Sequence, residues 1–231
     1  MVDNNVADPR LYVALDLPSI DEARAMVETL GETVISYKIG LQLLPLAGAE
    51  FGRELAAQGK NIFLDFKLHD IDATVEKATR SIAGVGANLL TVHARPDVMV
   101  AAAKGKGRDL KVLGVTVLTS LDEQALIDIG YHHTAEELVL HRVRQAMDAG
   151  IDGVVSSPLE AAKIRNIVPK DFLVVTPGVR MASDAVGDQK RVATPGNALK
   201  SGASHIVVGR PITQSGDPKG AARKILENMK G

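Results

Sequence analysis

The sequence predicts an α/β protein with a single (β/α)8 barrel, the TIM-barrel fold. Short apolar runs recur along the chain and alternate with amphipathic helical segments, which is the pattern of a parallel sheet. There are eight such runs, and eight parallel strands close a barrel. A chain of 231 residues suits one barrel, so we expect a single domain over residues 1–231, with residues 1–9 as a flexible N-terminal extension.

The predicted strands are rich in Val, Ile and Leu, as expected for strands buried on both faces. They comprise residues 11–15, 34–39, 62–66, 89–93, 112–118, 153–156, 173–176 and 205–208. Helical periodicity is clearest in residues 20–30, 73–85, 135–149 and 219–230. An open doubly wound sheet is the competing fold, but no G-x-G-x-x-G sequence follows the first strand.

Composition excludes several functional classes. The chain has no cysteine, so disulfides, thiolate nucleophiles and Cys-ligated metals are excluded. A formal net charge of −1 and an aromatic content of 3% argue against a nucleic-acid partner. No apolar stretch is long enough to cross a bilayer, and the N-terminus lacks a signal pattern. We therefore expect a cytoplasmic protein with no membrane partner.

A charged segment follows the apolar run 61–64. Strand side chains alternate between faces, so Asp65 and Lys67 point the same way, and Asp70 lies just past the strand end. Carboxylates around one ammonium in an apolar setting are costly to assemble, which favours a catalytic role. The alternative is an ion pair at a strand end, with Asp70 or Asp72 capping the next helix. The charge pattern alone supports both interpretations equally.

Polar residues, glycine or proline stand at nearly every predicted strand end, where barrel enzymes build their active sites. These residues are Asp16, Lys38, Asp65, Lys67, His93, Thr119, Ser156, Pro177, Gly209 and Arg210. Lys38 extends Asp65, Lys67 and Asp70 into an alternating Lys–Asp–Lys–Asp network. Asp16 is a candidate ribose ligand, because carboxylates accept hydroxyl hydrogens, or else a helix cap.

The loops after the seventh and eighth strands form the phosphate site of many barrels. Arg180 and Arg210 follow those strands, beside glycines that let backbone N–H groups approach an anion. A surface salt bridge is the alternative for each arginine. Residues 181–194 form a polar loop that is long for a βα connection, with Pro-Gly and Thr-Pro flanks typical of lid hinges. A passive surface loop is the other interpretation.

Three histidines, His132, His133 and His141, raise the question of a metal site. The adjacent pair cannot share a helical face, and no carboxylate spacing supports coordination. We therefore predict no metal site. His93 is expected to support the site from behind, and His69 to face away from Lys67.

The sequence Asp65-x-Lys67-x-x-Asp70, with His69 and Ile71 inside or next to it, resembles the signature of the orotidine 5′-monophosphate (OMP) decarboxylase family. Six further segments resemble family motifs, in the family's order, from about residue 11 to the C-terminus. They are Ala14-Leu15-Asp16, Tyr37-Lys38-Ile39-Gly40, Val115-Thr116-Val117-Leu118-Thr119-Ser120, Thr176-Pro177-Gly178-Val179-Arg180, Gly187-Asp188-Gln189-Lys190-Arg191-Val192 and Val208-Gly209-Arg210.

The resemblance implies decarboxylation of OMP to UMP without metal or organic cofactor, the last step of de novo pyrimidine synthesis. It implies Lys67 as the proton donor within a charged array of Lys38, Asp65, Lys67 and Asp70. The implied substrate-binding residues are Asp16, Lys38, Thr74, Thr119, Pro177, Arg180, Gln189, Gly209 and Arg210.

Among them, Asp16 would bind the ribose, Thr119 the amide edge of the pyrimidine, and Gln189 both phosphate and pyrimidine. The family also implies a homodimer in which Asp70 and Thr74 are contributed across the interface. One departure is Asp72-Ala73, where the family often has Pro-Asn.

Two other functions compete. Related sugar-phosphate enzymes, such as 3-keto-L-gulonate 6-phosphate decarboxylase and hexulose-6-phosphate synthase, share D-x-K-x-x-D but need Mg²⁺. Gln189 and the Thr119 segment favour the nucleotide. A non-catalytic nucleotide-binding barrel would keep Arg210 but has no reason to keep the Lys–Asp array.

Overall fold

Eight parallel strands close into a barrel in chain order in the computed structural model, which describes residues 7–182 and 193–231. The strands are β1 (Leu11–Ala14), β2 (Ser36–Gly40), β3 (Asn61–Leu68), β4 (Leu89–His93), β5 (Lys111–Val115), β6 (Gly153–Val155), β7 (Leu173–Thr176) and β8 (His205–Val208). The predicted (β/α)8 barrel is confirmed, and the competing prediction of an open doubly wound sheet is wrong. Residues 1–6 of the predicted extension and 183–192 of the predicted lid, including Gln189, lie outside the described residues.

Helices connect the strands and pack around the barrel. In the described part of the chain they are α1 (Ile20–Leu30), α2 (Gly48–Ala57), α3 (Asp72–Ala83), α4 (Pro96–Gly105), α5 (Glu123–Asp128), α6 (Ala135–Asp148), α7 (Ala161–Arg165), α8 (Pro195–Lys200), α9 (Arg210–Thr213) and α10 (Pro218–Lys230). The four helices predicted from periodicity are α1, α3, α6 and α10, and their ends agree within two residues. None of the helices described is both long and apolar enough to cross a membrane.

Two strands differ from the prediction for reasons that bear on the site. β3 runs beyond Phe66 to Leu68, through a shift in its pairing with β4. β5 ends at Val115, three residues before the predicted end. The next residues are apolar because Val117 and Leu118 line a cavity above the sheet, rather than because they belong to a strand.

The inside of the barrel is filled by side chains from most of the strands. One apolar cluster contains Tyr12, Ala14, Phe63, Leu89, Leu113, Val175 and Val207. Two larger clusters lie between the sheet and the helices. Tyr12 and Phe63 meet edge to face inside the barrel, with ring centroids 5.7 Å apart. Because Ala14, Phe63 and Val207 also line the cavity above, this cluster forms the floor of that cavity.

Candidate active site

A cavity of about 590 Å³ opens at the carboxyl ends of the strands. It brings together most of the site residues predicted from the sequence. These are Asp16, Lys38, Asp65, Lys67, Thr119, Pro177, Arg180, Gly209 and Arg210. Ser120, which follows Thr119 in the same motif, lines it as well. The volume and the mixture of apolar floor and polar walls suit a small-molecule site.

Four charged side chains form a continuous array on one wall. Lys38 Nζ lies 3.0 Å from Asp16 Oδ1 and 3.5 Å from Asp65 Oδ2. Lys67 Nζ lies 2.9 Å from Asp65 Oδ1. The observed order is therefore Asp16–Lys38–Asp65–Lys67, with each ammonium next to a carboxylate. The side chains of Lys38 and Asp65 are only 10% and 15% exposed, a degree of burial that charges tolerate when they are paired.

The two lysines determine the protonation state of Asp65. Burial alone would raise the pKa of this carboxyl. The Lys38 and Lys67 charges, with hydrogen bonds from Lys67 and Thr91, outweigh burial and leave the pKa below its usual value. Asp65 is therefore a carboxylate at neutral pH and offers a fixed negative charge between two ammonium groups.

The backbone of β3 is distorted where it carries the array. Leu64 pairs with Leu90 of β4, whereas Leu68 pairs with Val92, so residues 65–67 lie opposite the single residue Thr91. Lys67 itself has φ +50°, a left-handed conformation that is uncommon for residues other than glycine. Bulges of this kind re-aim side chains beside active sites, and strained backbone at such a point is a reason to infer function.

Gly40, at the end of β2, leaves room for the Asp16–Lys38 ion pair. A Cβ atom at this position would lie 2.8 Å from Asp16 Oδ1 and 2.8 Å from Lys38 Nζ. Both atoms would have to move away from such a Cβ, and this would disturb the ion pair between them. Glycine at this position therefore lets the two charged groups approach each other without interference from a side chain.

We expect Gly40→Ala to lower the kcat of the reaction catalysed at this site by about tenfold or more, because displacing a catalytic group by about 1 Å has effects of this size. Gly216→Ala is the matched control, since a Cβ at Gly216 meets no atom within 4 Å. Steady-state kinetics and thermal unfolding of both variants would check this. Wild-type turnover in Gly40→Ala would show that the Asp16–Lys38 pair has no role in the reaction.

Asp70 and Thr74 lie away from the array of their own chain. Both are exposed, and Asp70 Oδ1 accepts a hydrogen bond of 2.6 Å from the backbone N–H of Ile71. No salt bridge joins Asp70 to Lys67 within residues 7–182 and 193–231. Ile71, which lies between Asp70 and Thr74 in the sequence, is 70% exposed despite its large apolar side chain. Their contribution to a partner's site stays a prediction.

The loops after β7 and β8 carry the predicted phosphate-binding residues. Gly178 has φ +74°, and the loop after β7 then brings Arg180 to the cavity, where the residue is only 8% exposed. A surface salt bridge therefore does not describe Arg180. Arg210 begins α9 immediately after β8 and lies exposed at the rim of the same cavity.

The histidines contact one another rather than the array. The His69 and His93 rings are 4.8 Å apart, and His69 Nε2 is 3.1 Å from an Arg95 nitrogen. Burial, followed by nearby His69, Arg142 and Lys67, lowers the pKa of His93, which is therefore neutral at pH 7. Across the residues that the structure describes, no group of three or more His, Asp or Glu side chains is arranged to hold a metal ion.

Sequence reasoning missed Thr91, a fully buried residue of β4 whose hydroxyl contacts the array. Its position on the strand gave a usable signal. Thr91 is the one hydroxyl residue among the apolar positions of β4, and it shares its face with His93 at the strand end.

The chain matches a known protein family over most of its length. Residues 9–225 match the model of the orotidine 5′-phosphate decarboxylase / HUMPS family. The chain belongs to this family. The matched range includes the whole charged array and both candidate phosphate-binding arginines.

Relatives within the family are close and similar in length. An orotidine 5′-phosphate decarboxylase of Caulobacter sp. (strain K31) is 60% identical over 97% of this chain and 99% of its own. The enzyme of that name from Caulobacter vibrioides is 56% identical over 97% and 99%. The crystal structure of orotidine 5′-phosphate decarboxylase from Lactobacillus acidophilus superposes with a TM-score of 0.85 and 36% identity, covering 97% of this chain and 100% of that one.

Proposed function

We propose that this protein is a carboxy-lyase that decarboxylates orotidine 5′-monophosphate to UMP in de novo pyrimidine biosynthesis. The observation that supports this most strongly is the Asp16–Lys38–Asp65–Lys67 array at the carboxyl ends of β1 to β3, in a cavity that Arg180 and Arg210 also line. The close relatives that bear this enzyme's name support the same activity. We expect this protein to reside in the cytoplasm.

The chemistry of the step follows from the charges in the array. When the bond between C6 of the pyrimidine and its carboxylate breaks, CO2 leaves and the electron pair stays on C6. The Lys67 ammonium stabilises that negative charge and then donates a proton to C6, which gives UMP. Solvent protons restore the ammonium. Asp65 holds the Lys67 side chain in the cavity, because its Oδ1 is 2.9 Å from Lys67 Nζ.

The rest of the cavity binds the parts of the nucleotide that do not react. Asp16 and Lys38 face the ribose, and Thr119 the pyrimidine edge. Pro177, Arg180, Gly209 and Arg210 surround the phosphate. The role of Gln189 toward phosphate and pyrimidine, implied by the family, falls on a residue outside the described part of the chain. Binding energy at the phosphate then serves to position C6 against Lys67.

In the proposed assembly two chains form a homodimer, and Asp70 and Thr74 complete the partner's site. The exposure of residues 69–74, which include the largely exposed Ile71, supports an interface there. Asp70 would then stand on the far side of Lys67 from Asp65. The ammonium would be held between two carboxylates.

The function is tested by following the loss of OMP absorbance with the purified protein, with and without EDTA. We expect rapid conversion to UMP that EDTA does not change. Activity only on a sugar phosphate, abolished by EDTA and restored by Mg²⁺, would instead establish the sugar-phosphate enzyme. Nucleotide binding without turnover would indicate a binding protein.

Arg210→Ala tests the phosphate site. We expect kcat/KM for OMP to fall by an amount equivalent to about 2–4 kcal/mol, the scale of a lost charge-assisted contact. Orotidine, which lacks the phosphate, should be affected far less. Arg144→Ala, which removes an exposed arginine of α6, is the control and should change neither substrate. Equal losses on OMP and orotidine would place Arg210 outside the phosphate site.

A further inference from the structure

Thr91 joins two parts of the array through one hydroxyl group. Its Oγ1 lies 2.8 Å from Asp65 Oδ1 and 3.0 Å from the backbone nitrogen of Lys67. The side chain is fully buried in β4. No other β4 residue faces the bulge, since residues 65–67 lie opposite Thr91 alone.

The direction of both hydrogen bonds follows from the chemistry of the groups. A backbone N–H can only donate, so the Thr91 oxygen accepts from Lys67. The Asp65 carboxylate can only accept, so the single hydroxyl proton of Thr91 is donated to Asp65. The Thr91 hydroxyl thus donates a hydrogen bond to Asp65 and accepts one from Lys67 at the same time.

One of these hydrogen bonds holds the backbone of Lys67, and the other holds the carboxylate of Asp65. The bulge removes the ladder partner of the Lys67 N–H. Thr91 supplies a replacement acceptor at the residue whose φ is +50°. The other bond fixes the plane of the Asp65 carboxylate. Its Oδ1 then receives both Lys67 Nζ at 2.9 Å and Thr91 at 2.8 Å, while Oδ2 faces Lys38 at 3.5 Å.

We infer that Thr91 is a positioning residue of the decarboxylase: it holds the Lys67 backbone and the Asp65 carboxylate so that the Lys67 ammonium meets the reacting carbon. Thr91 faces the array from behind and does not line the cavity, so it acts through these two residues. The inference rests on the proposed function for its kinetic consequence, but the hydrogen bonds can be tested without it.

The test compares Thr91→Val, which keeps the shape and removes both hydrogen bonds, with Thr91→Ser, which keeps both. Thr79→Val is the matched control. Thr79 is equally buried, and its hydroxyl has no hydrogen-bond partner among the described residues. We expect Thr91→Val to lower kcat on OMP by at least about tenfold while UMP affinity changes by less than about threefold. Thr91→Ser should stay within about threefold of wild type, and Thr79→Val should be indistinguishable from it.

Amide hydrogen exchange at Lys67 gives a readout that does not depend on the substrate. Exchange should accelerate by about tenfold or more in Thr91→Val relative to Thr91→Ser, because the N–H loses its acceptor. If wild type does not convert OMP, the proposed function fails, and this exchange result still decides the placement of Thr91. Should the valine variant not fold, Thr91→Cys, with weaker donor and acceptor, is expected to show a reduced kcat with UMP binding retained.

A folded Thr91→Val with wild-type kcat would overturn the inference. So would equal defects in the serine and valine variants, since serine keeps both hydrogen bonds. A lower melting temperature with unchanged kcat would also overturn it, because that result assigns Thr91 to stability alone.

Discussion

Lys67→Ala is expected to fold and to bind UMP, yet to lose turnover by about a thousandfold or more. The lost ammonium is both the charge that stabilises the carbanion and the proton donor, and each effect alone is worth about a hundredfold or more. The fold should survive because Lys67 lies at the cavity, outside all three apolar clusters. Single-turnover and steady-state assays on OMP, with UMP titration, measure these properties separately.

Lys60→Ala is the matched control for this substitution. Lys60 directly precedes β3, at the opposite end of the strand from Lys67, and pairs with Glu32 at 3.1 Å. It should keep wild-type kinetics. If Lys67→Ala retained more than a few per cent of activity, another group would have to be the proton donor.

The sequence predicted the fold well because barrel strands have a local signature. Apolar runs of the right length, separated by helical periodicity, required no knowledge of contacts. The ends of β5 and β3 were wrong for tertiary reasons. Val117 and Leu118 are apolar because they line the cavity, and β3 continues only because β4 allows a bulge opposite Thr91.

The candidate site was predictable where one strand carries the chemistry. Strand alternation placed Asp65 and Lys67 on one face, and their side chains are in contact. The Asp16–Lys38 pair links residues at the ends of two strands and was not predicted, since Asp16 was assigned to the ribose or to a helix cap. Thr91 stands out in the sequence as a hydroxyl residue in an apolar strand, but its role depends on the bulge, which only the pairing of two strands reveals.

Asp70 shows what a single chain cannot supply. Its motif places it with Lys67, but the turn after β3 directs it outward, where its carboxylate accepts a hydrogen bond from Ile71. A residue with this sequence signature and this exposure is explained if it serves a second copy of the chain. Two-fold symmetry then makes the exchange reciprocal.

The reciprocal exchange predicts that Lys67→Ala and Asp70→Ala, each inactive alone, complement one another. In a mixed dimer one site takes Lys67 from one chain and Asp70 from the other and is intact, while the second site carries both defects. After random reassembly about half of the dimers are mixed, so activity should return to about a quarter of wild type. The experiment is to dissociate, mix and reassociate the two variants and then to assay OMP decarboxylation. Lys67→Ala mixed with Asp65→Ala is the matched control: these residues are 2.9 Å apart in one chain, so every site of a mixed dimer keeps one defect and no activity should return. Failure of the first pair to recover, with subunit exchange confirmed independently, would mean that Asp70 acts within its own subunit.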